Sequence, residues 1–285
     1  MAALFTVRQG MQKFQTLMAG AAEVGLLFAG SVALTAAFAQ VSGGVSKLSS
    51  SASTAPLYQF PGAPKITLST HGNILVFQTS AGAGGASHMA GEGYILCYGG
   101  TQAFDRASSE IGFAPPTTAF CSGSTCTVVR NTVDNIFQLK QVITKNSPEE
   151  RSINIEMTLR NLLGAPVSGI VLRRFADFDV DAYGSGTGST INWWGASEFD
   201  SVYAWNAATN HVGPDSAMLM RHLKKVPGTI PYGGKVTNWF DNACSPFNLA
   251  SGSWAQGDYA ATIQYNIGTL GGGQSAVVKV QYQRN

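Results

Sequence analysis

The chain is short of charge. Lys, Arg, Asp and Glu make up 12% of its 285 residues, and the net charge is +2. A nucleic-acid partner needs a clustered basic face. The densest basic patch, Lys224 and Lys225 beside Arg221 and His222, is too small to supply one. Helical periodicity is absent beyond two turns anywhere after residue 40, which argues against a helical enzyme fold. No C-x-x-C pair occurs, so a structural zinc site lacks its usual ligand spacing. Gly85-Ala86-Ser87-His88-Met89 lacks the last glycine of a G-x-S-x-G elbow. The glycine runs at 82–85, 184–188 and 271–273 precede no helix, so they read as turns and not as phosphate cradles. There is no N-x-S/T sequon, which removes N-glycosylation and suits a bacterial origin.

Short strands separated by turn residues fill the rest of the sequence. The most informative stretch is Arg151–Asp181. Ile153, Ile155, Met157 and Leu159 alternate with Asn154, Glu156, Thr158 and Arg160. That period of two marks a strand with one buried and one wet face. A loop with Gly164 and Pro166 follows, then a second strand ending in Asp177, Asp179 and Asp181, and the two read as a hairpin. Lys65–Ser69, Asn73–Thr79, Gly93–Tyr98, Thr125–Arg130 and Asn135–Thr144 are further strand candidates. So are Ser201–Asn206, Ala217–His222, Tyr259–Ile267 and Ala276–Gln283. The expected fold is all-β, an antiparallel β-sandwich of two packed sheets, with long loops in the C-terminal half.

The first 39 residues read as a signal peptide. Arg8 and Lys13 form a positive region, Val24–Ala39 is apolar, and Ala37-Phe38-Ala39 fits a cleavage site. The rival is an uncleaved anchor over Leu17–Ala39, the one route by which this sequence would meet a membrane. Residues 40–56 form a Ser/Gly-rich linker, and residues 57–285 a single domain. The expected location is secreted, periplasmic or at the cell surface. Such a compartment is oxidising, so the four cysteines should pair. Three pairings are open. The short loop Cys121-Ser-Gly-Ser-Thr-Cys126 favours Cys121–Cys126, which leaves Cys97–Cys244.

Two constellations stand out. Asp177, Asp179 and Asp181 alternate on a strand, so their carboxylates share a face and repel unless solvated, paired or bridged by a cation such as Ca²⁺. The pattern opens like a D-x-D-x-D calcium loop, but Ala182 and Gly188 depart from the EF-hand positions. The competing reading is a wet face opposite Ala176, Phe178 and Val180. The second constellation is Trp193 and Trp194 with Glu198 and Asp200. Aromatic rings pack on the C–H faces of sugars while carboxylates and amides fix hydroxyls. Adjacent tryptophans on a strand point to opposite faces, so one of the two belongs to the core. These residues point to a secreted, non-enzymatic module that binds a glycan or an extracellular protein or plays a structural role. The alternative is a carbohydrate-active enzyme using carboxylates of the Asp177–Asp200 region.

Overall fold

The computed structural model describes residues 55–79, 87–180, 190–195, 201–206, 217–223, 230–237, 244 and 253–284. They form an all-β sandwich of three antiparallel sheets, with strands numbered in chain order. The small sheet is β1 (Pro56–Phe60), β2 (Lys65–Ser69) and β3 (Ile74–Gln78). The six-stranded sheet runs β15 (Tyr232–Thr237), β17 (Ala260–Leu270), β11 (Val167–Phe178), β4 (Met89–Tyr98), β5 (Thr101–Asp105) and β6 (Glu110–Ile111). The nine-stranded sheet begins with β16 (Ser253–Gln256), β12 (Thr190–Gly195), β13 (Ser201–Asn206), β14 (Met218–His222) and β18 (Ser275–Arg284). It continues through β10 (Ser152–Asn161), β9 (Phe137–Lys145), β8 (Thr125–Asn131) and β7 (Thr118–Ser122).

The alternation in β10 sets its orientation. Ile153, Ile155, Met157 and Leu159 are buried in the main core, while Arg160 is exposed on the opposite face. Full burial of one such side chain stabilises by about 1.5–3 kcal/mol. β10 and β11 do not pair with each other, however. β10 lies between β9 and β18, and β11 lies between β4 and β17. The expected hairpin is therefore an arch that carries the chain from one sheet to the other. The periodicity of each strand fixes its faces but not its neighbours, because every strand here carries an inward apolar stripe.

The core between the sheets contains a polar seam. Arg174 of β11 is wholly buried and pairs with Glu92 of β4 through both Nε and Nη2, the latter at 2.7 Å from Oε2. Its Nη1 donates to Oε1 of Gln141 in β9 at 2.5 Å, and the Tyr282 hydroxyl of β18 donates to Glu92 at 2.8 Å. Gln141 and Tyr282 belong to the nine-stranded sheet, so this seam joins the two layers. The β2–β3 turn plugs into it. Arg174 Nη2 donates to the Gly72 carbonyl at 3.0 Å, Gln141 donates to the His71 carbonyl at 3.0 Å, and the Ile74 amide donates to Glu92 at 2.8 Å.

Two disulfides fasten the periphery. Cys121–Cys126 closes the β7–β8 turn, and Cys97–Cys244 ties Cys244 to β4. Cys97 lies on the outer face of the six-stranded sheet in a second apolar cluster with Ile95, Val171 and Phe175.

Removing one member of a buried ion pair strands its partner, at a cost of about 3–5 kcal/mol. Glu92→Leu should lower the unfolding free energy in urea by that amount. The double variant Glu92→Leu/Arg174→Met should recover much of the loss. A single-variant loss below about 1 kcal/mol would contradict the structural role of the seam.

Candidate functional site

Two surfaces concentrate chemistry, one on the outer face of each large sheet. On the nine-stranded sheet, register builds an aromatic row. Trp193 of β12 sits opposite Trp254 of β16 on one side and Tyr203 of β13 on the other, and Tyr203 sits opposite Leu219 of β14. The Trp193 and Tyr203 rings stack with centroids 5.7 Å apart. Trp254 is 70% exposed, Trp193 is half-buried and Tyr203 is buried beside it. Gly195 makes room for this arrangement, since a Cβ there would lie 3.1 Å from the Trp193 ring. The adjacent row on the same face is polar. Arg221 Nε donates to Gln281 at 2.6 Å, Gln281 donates to Asn154 at 3.0 Å, and Asn154 donates to Asn146 at 2.9 Å. An apolar strip thus runs beside a ladder of amides on an antiparallel sheet.

Trp194 takes the opposite direction. It is 1% exposed in the main core, where its ring covers Gly234, and a Cβ at that glycine would come within 2.2 Å of it. The expectation that Trp194 contacts a ligand is therefore corrected, because alternation along β12 sends it inward. Glu198 and Asp200 lie outside the described residues, as does Asp181.

On the six-stranded sheet, Asp177 is the last residue but one of β11 and Asp179 follows the strand. The nearby third carboxylate is Asp258, in the turn before β17, a position that sequence spacing could not place. Burial pushes the Asp177 carboxyl up to about 7, with Asp179 and Asp258 adding to the rise. Burial and Asp258 push Asp179 upward as well. Asp177 Oδ1 is buried and receives no hydrogen bond. Among the described residues, three metal-capable groups whose ligand atoms converge within 4.8 Å occur at His71, Asp105 and Glu110, not at these aspartates.

That histidine cluster was not visible as a unit in the sequence. His71 Nδ1 lies 2.8 Å from Asp105 Oδ2 and 3.1 Å from Glu110 Oε2. Arg130 Nη1 and Nη2 reach the same two carboxylates at 2.5 and 2.6 Å. With His71 protonated, two positive and two negative groups balance inside the protein. Burial alone would lower the histidine, but its hydrogen bonds to Asp105 and Glu110 outweigh that and raise it above its usual value. The cluster extends the polar seam: Arg130 Nη1 also donates to the Tyr94 hydroxyl at 3.0 Å, and Tyr94 donates to the His71 carbonyl at 3.1 Å.

No family model matches the chain, and no curated protein matches it. Among solved structures, a bacterial glucoamylase complexed with acarbose is similar in fold, with a TM-score of 0.53 at 10% identity. The match covers 82% of this chain and 33% of that one, so the chain spans about a third of the length of that glucoamylase. Among the described residues no helix is long and apolar enough to cross a membrane.

The raised histidine has a signed consequence. The stability it supplies is complete below about pH 6.5, the ordinary histidine value, and is lost as pH rises through its folded value. Unfolding free energy should therefore fall across that window in the native protein. In His71→Gln the histidine-linked part of this fall should disappear. An unchanged pH slope in the variant would contradict the assignment.

Proposed function

We propose that this chain is an exported, non-enzymatic β-sandwich module that binds carbohydrate through the aromatic row of its nine-stranded sheet. The observation that carries the reading is the row itself: Trp254 and Trp193 directly opposite each other, Trp193 backed by Tyr203, and an amide ladder one row away. Indole faces pack against the C–H side of a pyranose, and neighbouring amides and guanidinium groups bond its hydroxyls. Strands about 4.8 Å apart set successive rings along a line, which suits an extended chain of sugars over a single buried residue. The acarbose-bound neighbour supports the fold and is consistent with a carbohydrate setting.

A second reading, hydrolysis by acids of the Asp177–Asp200 stretch, has one observation in its favour. Asp177, held near neutrality, has the acidity a general acid needs.

Trp254→Ala should leave folding intact, because the ring is largely exposed, and weaken binding to an insoluble or oligomeric glycan at least about tenfold, or ~1.4 kcal/mol. Trp193→Ala should act in the same direction, and Trp254→Phe should retain most of the affinity. Unaltered binding in both alanine variants would refute the reading. A hydrolase panel run in parallel tests the second one: turnover by the native protein that vanishes in Asp177→Asn would establish catalysis in place of binding.

A further inference from the structure

A pocket of about 230 Å³ opens at the end of the six-stranded sheet that carries Asp177. β3, β4 and β11 meet there with the β5–β6 and β16–β17 turns. Ile74, Ala90, Phe175 and Ala260 give it apolar walls, while Asp177 and Asp258 bring carboxylates. We propose that this pocket binds a small organic ammonium ion, an amine carried on a compact ring or apolar body, with Asp177 and Asp258 receiving the ammonium and Phe175 covering the body.

Four features lead to that ligand. First, Asp177 Oδ1 is buried and accepts no hydrogen bond, although it is an acceptor with open capacity. Second, the charges facing the pocket are unequal. Glu92 is engaged by Arg174 and the Tyr282 hydroxyl. Asp179 and Asp258 lie close enough to oppose the ionisation of Asp177, and Arg106, whose Nε bonds Ser109, is the lining cation. A bound cation relieves carboxylates that repel in a partly desolvated site. Third, the walls disfavour a metal. Ca²⁺ takes roughly six to eight oxygens, whereas this lining is largely carbon and, among the described residues, its carboxylates form no converging set of three ligands. An ammonium needs two or three acceptors on one side and tolerates an aromatic ring on another. Fourth, the volume lies below the roughly 300–1,000 Å³ of sites for drug-sized ligands, so a single ring fits. The inference stands apart from the carbohydrate reading, which uses residues of the nine-stranded sheet that do not line this pocket.

Calorimetric titration of the full chain with benzylamine and glucosamine, beside their neutral counterparts benzyl alcohol and glucose, tests it. At least one amine should bind while its neutral counterpart does not. Benzylamine, which stays protonated throughout, should bind more tightly as pH rises between about 6 and 8, the interval around the Asp177 value of about 7. Asp177→Asn, which keeps the shape of the side chain, should weaken binding at least tenfold without lowering the melting temperature. Gly91→Leu provides a steric check that leaves the charges in place: Gly91 lines the pocket beside Asp177, whose Cβ would lie 3.9 Å from an added Cβ. It should abolish binding too. Failure of both amines to bind, equal binding of an amine and its neutral counterpart, or displacement of the amine by stoichiometric Ca²⁺ would each overturn the proposal.

Discussion

The ion pair between Arg174 and Glu92 is the constraint around which the sandwich is arranged. Neither group reaches solvent, so each needs the other together with further hydrogen bonds, and the partners that supply them come from both sheets and from the β2–β3 turn. A buried charge pair adds little net stability when compared with an apolar core, but it tolerates few alternative arrangements. Here it sets which strands oppose each other. β9 and β18 must present Gln141 and Tyr282 to β4 and β11, and the turn at Ser69–Asn73 must enter between them. The second charged cluster, around Arg130, repeats this logic one step further along the seam.

Much of the architecture was legible from alternation alone. β2 and β13 occupy the expected residues, and β10 has the expected inward face, because one wet and one dry side leaves a period of two in the sequence. Both disulfide pairs followed from loop length and elimination. Strand pairing was not legible. The Gly164–Pro166 turn looks like a hairpin tip but serves as an arch between sheets, since the choice is made by side chains far along the chain, such as Tyr282 against Glu92. Edge strands such as β15 and β16 were missed because Gly233 and Gly234 interrupt one pattern and the other is only four residues long.

The candidate sites show the same division. Alternation correctly required that Trp193 and Trp194 face opposite ways, and Gly234 settles which one enters the core. Trp254, the exposed member of the row, lies about 60 residues further along and reaches Trp193 only through the β12–β16 pairing. The aspartates at 177 and 179 were found from their spacing, whereas Asp258 joins them through the packing of β17 on β11. Local chemistry can therefore be read from the sequence, but the partners that complete each site come from long-range register.

The two large sheets carry surfaces of distinct character: an aromatic and amide strip on one, an acidic pocket with apolar walls on the other. The carbohydrate reading depends on the first being open to solvent. Mapping tryptophan oxidation by mass spectrometry during limited treatment with N-bromosuccinimide, with and without a panel of oligosaccharides, tests this most directly. Trp254 should be modified rapidly, buried Trp194 should stay inert as an internal control, and at least one glycan should slow the reaction at Trp254 and Trp193. Modification of Trp254 at the same rate under every glycan in the panel would contradict the carbohydrate reading.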